Sequence, residues 1–186
     1  MTGSSAEQAS EGMGVAGYLF DWLQCIVFAL LLVLGIFTFA GKPMEVNQVS
    51  MNPTLYEGDR LIVSNLMYSP KNGDIVVFSK QTYEAGTPLV KRIVAMDGQT
   101  VDIDIESGTV TVDGIVLDEP YIAEATKTVY DVAFPLEVPE GKVFVMGDNR
   151  NRSKDSRYKA VGLVDTQEIL GKVVAVILPT EHFKIF

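Results

Sequence analysis

The sequence contains one histidine, one cysteine and no Lys or Arg ahead of Lys42, and each shortage narrows what the chain can do. Cys25 has no second thiol to meet, so no intrachain disulfide forms, and no Cys/His cluster exists to bind a metal; neither metal nor cofactor is expected. His182, close to the C-terminus, is the only imidazole. A serine hydrolase built on this chain must therefore use that ring or a lysine as its base. The net charge of −9 argues against nucleic acid as a partner, because phosphate binding rests on a basic surface. There is no internal repeat, and no clear amphipathic helix beyond a single possible turn at Thr166 to Leu170.

What the chain has in excess is apolar sequence, 47% overall, concentrated in the first forty residues. Residues 18–40 carry no hydrophilic side chain after Cys25 except Thr38, and as a helix would span roughly 34 Å, enough for a bilayer core. A cleaved secretory signal ending at Thr38-Phe39-Ala40 is the competing reading. Against it, the preceding residues offer Glu7, Glu11 and Asp21 but no cation, and the run is longer than an ordinary signal core. The expectation is a disordered Gly/Ser-rich tail (1–17), a transmembrane helix (18–40) and one globular domain (41–186). Lys42 directly after the helix, with no cation before it, weakly favours placing that domain inside the cell.

Beyond Lys42 the pattern changes to short β-branched runs broken by turns. Arg60 to Ser64 and Asp74 to Ser79 are separated by Pro70, Asn72 and Gly73; Val101, Ile103 and Ile105 alternate onto one face. Ser107-Gly108 and Asp113-Gly114 turn the chain into Thr109 to Val112 and Ile115 to Leu117, giving two successive hairpins. Val143 to Met146, Ala160 to Val164 and Lys172 to Leu178 are further strands. The fold class expected is all-β, mostly antiparallel.

Three segments could carry chemistry. Ser50, in Val49-Ser50-Met51-Asn52-Pro53-Thr54-Leu55, precedes a proline-stiffened turn. It is either a nucleophile held in attack geometry or an ordinary turn serine. Leu89-Val90-Lys91-Arg92-Ile93-Val94-Ala95 places two cations in a strand whose faces are both apolar, so alternation does not say which is buried. Chemistry separates them: a guanidinium stays protonated, whereas burial can depress a lysine by several units, so only Lys91 can be a base. Two snorkelling cations at a sheet edge are the alternative. Gly147-Asp148-Asn149-Arg150-Asn151-Arg152-Ser153-Lys154-Asp155-Ser156-Arg157 is a loop of mixed charge in which Asp148, Asp155, Arg150 and Arg157 can pair locally.

Four blocks in this order resemble the bacterial type I signal peptidases, membrane-anchored Ser-Lys proteases that remove signal peptides from exported preproteins. They are Ser50 to Leu55 with Gly58-Asp59, Gly73 to Phe78, Val90 to Ala95 with Asp97-Gly98, and Gly147 to Arg157. The resemblance implies Ser50 as nucleophile, Lys91 as general base and Ser153 as the hydroxyl that hydrogen-bonds and orients the lysine amine. It implies an Asp155–Arg157 ion pair supporting the loop with Asp148 as its structural partner, Met51 facing lipid, and a β catalytic core with a second β region inserted over 98–141. It also implies secretory preproteins as substrates, small residues one and three positions before the cut, the lipid bilayer as partner, and a single-pass enzyme in the cell membrane. The catalytic domain would then lie on the extracytoplasmic side, against the charge bias. In the family the oxyanion is bound by the nucleophile's own N–H and commonly by a small residue, sometimes serine, two positions before it. Here Gln48 stands in that place, beside the Ser50 N–H. Two other classes fit parts of the pattern: an anchored β module that only binds, and a self-cleaving Ser-Lys regulator, which would need a partner domain where residues 1–40 offer a tail and an anchor. The sequence leaves the oligomeric state open. The ten or so residues from Ala40 to Ser50 reach at most about 36 Å, so the nucleophile is expected to work close to the membrane surface.

Overall fold

The computed structural model describes residues 15–39 and 41–186. The expected tail lies outside the described residues as far as position 14, and Val15 to Gly17 already belong to the helix α1, Val15–Phe39. Within α1, Gly17–Gly35 has a mean hydropathy of 2.0, long and apolar enough to cross a membrane, and none of it is buried. Leu19, Trp22, Phe28 and Leu32 point outward on different sides of the helix.

Residues 40–186 form a separate unit. Its strands are β1 (Lys42–Glu45), β2 (Arg60–Ser64), β3 (Ile75–Phe78), β4 (Leu89–Met96), β5 (Thr100–Asp104), β6 (Thr109–Val112), β7 (Ile115–Val116), β8 (Leu136–Glu137), β9 (Lys142–Met146), β10 (Val164–Asp165), β11 (Ile169–Leu178) and β12 (Lys184–Ile185). One sheet has the order β1-β2-β11-β3-β4-β9-β10, with β12 on β11, and the second has the order β7-β6-β5-β8. Among the described residues every pairing is antiparallel, as the alternating pattern and the hairpin turns require. The β6–β7 turn is Asp113-Gly114 with φ of 53° and 77°, the two left-handed residues of a tight hairpin.

The central strands are buried on both faces, which is why their sequences are continuous apolar runs. Ile75 and Val77 of β3 pack with Met51, Leu55, Leu61 and Val173, whereas Val76 and Phe78 pack with Leu89, Ile93 and Val145. A third core joins Phe144 and Met146 of β9 to Val101, Ile103, Val110 and Val112 of the second sheet. Three expectations change. Ala160 to Val164 is a strand only from Val164, because Val161 and Gly162 donate their N–H groups back to Tyr158 in a turn. The short strands β1, β8 and β12 carry no apolar alternation and were not legible. Met51 does not face lipid; it is 1% exposed, in the core beneath the Ser50 turn.

Candidate active site

Ser50 lies in a single 3-10 turn, Val49–Met51, between an extended Gln48 and Asn52. Two groups from the loop after β9 clamp this turn. The Asn149 N–H donates to the Ser50 carbonyl at 3.0 Å, and Asn149 Nδ2 donates to the Val49 carbonyl at 3.1 Å. From below, Met51 and Leu55 anchor it in the core. The hydroxyl is thus held from both sides although it stands on a loop.

Lys91 enters from β4, sharing a face with Leu89 and Ile93. It is 1% exposed, and its Nζ sits 2.8 Å from Ser50 Oγ and donates to the Val90 carbonyl at 2.9 Å. Burial lowers its pKa from 10.5 to about 8; the carboxylates of Asp155 and Glu84 oppose that fall, and the Arg157 guanidinium adds to it. The neighbouring cation is also buried, on the opposite face: Arg92 is 9% exposed, and its Nε and Nη2 grip both oxygens of Asp148 at 2.9 and 2.6 Å. Arg92 Nη1 donates to the Gly73 carbonyl, and the guanidinium lies 3.9 Å from the Tyr121 ring centre.

The loop after β9 is a frame of buried ion pairs. Asp155 accepts Arg157 Nε and Nη2, both at 2.8 Å, and the Gly147 N–H at 2.9 Å. Burial alone would raise the Asp155 carboxyl; its hydrogen bond and charge contact with Arg157 and the Gly147 N–H hold it below the usual range. Arg157 continues to the carbonyls of Thr128 and Arg150. Asp148, expected to partner the Asp155–Arg157 pair, instead pairs with Arg92 and accepts the Thr54 hydroxyl, so it joins β4 to the segment after Ser50. Arg150, expected to pair within the loop, reaches Glu119. The reason is geometric: Arg157 already fills the Asp155 fork, so the other charges find partners across the fold.

Ser153 Oγ is buried beside the Asp155 carboxylate, which it helps to hold below the usual range, without a hydrogen bond of good geometry among the described residues, and it lies with the Ser50 carbonyl against Gly147, within reach of a side chain at that position. The expected bond from Ser153 to the Lys91 amine is not formed; that amine contacts Ser50 Oγ and donates to the Val90 carbonyl. His182 pairs with Asp59 at 2.7 Å and sits against the Tyr56 ring, with no bond to Ser50. Sequence reasoning sets Arg92 aside as unable to be a base and gives Asn149, Thr54 and Glu119 no role. Thr54, Arg92 and Asn149 each lie inside one of the four matching blocks, whereas Glu119 lies outside them all.

Two clefts open on Ser50. One, of about 330 Å³, runs between residues 43–48 and 87–90 and is lined by Met44, Val46, Met51, Leu89 and Val90. The other, of about 390 Å³, lies toward Tyr83, Glu84 and Arg152. Gln48 lines both, is exposed and makes no side-chain hydrogen bond.

A hydroxyl on a pinned turn, touching a buried amine at the junction of two clefts, is the geometry of a serine hydrolase whose base is a lysine. Comparison with known proteins gives the family. The model of the family described as signal peptidase, peptidase S26, matches residues 19–178. A signal peptidase I of Bacillus licheniformis is 38% identical over 89% of this chain and 92% of its own length. A probable signal peptidase I of Synechocystis sp. is 38% identical over 85% of this chain and 82% of its own. A solved signal peptidase I from Enterococcus faecalis superposes with a TM-score of 0.47 at 33% identity, over 56% of this chain and 97% of that one. The chain belongs to the signal peptidase family, peptidase S26, a family of membrane-associated serine endopeptidases that process signal peptides.

Proposed function

We propose that this chain cleaves signal peptides from secretory preproteins with Ser50 as nucleophile and Lys91 as the general base. The observation that carries the reading is the 2.8 Å contact between two buried side chains, Lys91 Nζ and Ser50 Oγ. Neutral Lys91 takes the Ser50 proton as Oγ attacks the carbonyl after a small residue. The resulting ammonium gives its proton to the leaving amine, and the free amine then activates water to hydrolyse the ester. With a pKa of about 8, roughly a tenth of the lysine is neutral at pH 7, against less than about a thousandth for an unperturbed side chain.

The supporting roles follow from position. The Ser50 N–H, which no acceptor takes among the described residues, is one oxyanion donor; the Gln48 amide, free at the junction of the clefts, is the second. Ser153, buried beside Asp155, is the hydroxyl on hand to orient the lysine amine. Asp155, Arg157 and Asp148 hold the loop that clamps the nucleophile. The substrate before the cut runs through the apolar cleft as an added strand. There β4 is open beside Leu89 and Val90, since β9 pairs with it only from Arg92 onward.

An apolar helix exposed on all sides requires lipid around it, so α1 crosses the cell membrane once, as an uncleaved anchor. The catalytic unit works on the extracytoplasmic face, where preproteins emerge. Incubating the purified protein in detergent with a labelled preprotein tests the proposal: wild type releases the mature product and Ser50→Ala does not. Cleavage by a folded Ser50→Ala variant would refute it.

A further inference from the structure

The second cleft carries charges that the reaction itself does not use. Beside Ser50 it is lined by Glu57, Glu84, Arg152 and Lys154, whereas the first cleft has Glu45 as its only charged residue. The residues ahead of a signal-peptide cut are small and apolar, which suits the first cleft. By elimination, the chain that follows the cut leaves through the second.

Arg152 and Lys154 flank Ser153, whose backbone is extended at φ −128° and ψ 125°. Residues two apart on extended backbone project to the same side, so the two cations stand together on the cleft wall while Ser153 turns into the interior. Among the described residues neither has a carboxylate within ion-pairing distance, although the chain carries a net charge of −9. Nor do Glu57 and Glu84, each of which comes from a different segment of the chain. Arg152 and Lys154 therefore make one wall of the cleft positive, while Glu57 and Glu84 line it from other segments and Glu84 acts on Lys91.

We infer that Arg152 and Lys154 form a specificity subsite on the leaving side of the bond, which favours substrates with an Asp or Glu in the first residues of the mature chain. The inference rests on the assignment of Ser50 as nucleophile. The partner is a carboxylate of the polypeptide substrate, met by the Arg152 guanidinium and by the Lys154 ammonium, which lies 5.8 Å from the Tyr158 ring centre; both residues are exposed, so the gain is that of an exposed ion pair. It should weaken in high salt, because charges at the surface are screened.

The test uses the full-length protein in detergent with three matched peptides spanning one cleavage site, differing only in Glu, Gln or Lys at the second position after the cut. Wild type should cleave the Glu peptide about threefold or more faster, as kcat/KM, than the Lys peptide, with Gln between them. That ratio should fall toward one in about 1 M salt. The double variant Arg152→Glu/Lys154→Glu should invert the order, and Arg152→Gln/Lys154→Gln should flatten it. A wild-type enzyme that shows no preference, or prefers Lys, overturns the subsite, as does a preference that survives the double charge reversal. The Ser50→Ala protein run beside these separates the two claims. If it is inactive while the ratio ignores the charge reversal, only the subsite fails; if it cleaves, the nucleophile assignment fails first.

Discussion

At the scale of single residues, the proposed chemistry rests on one perturbed amine. Burial lowers Lys91 to about 8, so the unfolded chain binds the lysine proton more tightly than the folded one between about pH 8 and 10.5. Folding stability from this group is present above the unfolded value and lost as pH falls through the folded one. At pH 7 the cost is on the order of 3 kcal/mol. Lys91→Met should therefore match or exceed the wild-type Tm at pH 7 in circular dichroism melts, with the advantage shrinking toward pH 10, while cleavage is lost. A Lys91→Met protein less stable than wild type at pH 7, with no such trend, would contradict the buried-charge account. Gln48→Ala should lower kcat by on the order of 100-fold with little change in KM if the amide binds the oxyanion. His182→Ala should leave cleavage within a few-fold of wild type, because the ring serves Asp59 and the C-terminal segment rather than Ser50.

At the scale of elements, the site is a junction of β4, the Ser50 turn and the loop after β9. The closest approach among them is at Gly147. A Cβ there would come within 2.3 Å of Ser153 Oγ and 2.4 Å of the Ser50 carbonyl, both inside contact distance. Gly147→Ala must push the loop off the nucleophile turn and strain the Asn149 clamp. A loss of about 100-fold or more in kcat/KM is expected while the β signature in circular dichroism persists; near-normal rates would show that the loop is free to shift. Asp155→Asn leaves the fully buried Arg157 without its anion and should cost about 3–5 kcal/mol in denaturant unfolding. A loss below about 1 kcal/mol would mean that the carbonyls of Thr128 and Arg150 suffice to hold the guanidinium.

At the scale of the whole molecule, protease added to intact spheroplasts should digest residues 41–186 and spare the apolar helix. Full protection of the β unit would place it inside, as Lys42 alone suggests. The same scale shows what the sequence reveals and what it hides. The β runs, both hairpin turns and the apolar helix are legible because local periodicity and turn chemistry determine them, except that Ile105, expected on the face of Val101 and Ile103, is an exposed residue of the turn that follows Asp104, closed by the Gly108 N–H on the Asp104 carbonyl. Chemistry marks Lys91, and family order marks Ser50. The partners of Asp148 and Arg150 are not legible: they are chosen by sheet order, which brings Arg92 of β4 and Glu119 from beyond β7 to a loop far away in sequence. The burial of Met51 is hidden for the same reason, since only the packing of β2, β3 and β11 beneath the turn makes it core.

The central claim, that a buried neutral lysine activates Ser50, is tested most directly by the pH dependence of single-turnover preprotein cleavage, with Lys91→Arg measured alongside as a folded control. The rate should climb about tenfold per pH unit up to a limb near 8 and then level, since only the deprotonated amine accepts the serine proton. Lys91→Arg should be inactive at every pH, because its guanidinium keeps the charge and cannot take the proton. A flat profile between pH 6 and about 9, or substantial cleavage by a folded Lys91→Arg protein, would contradict the account.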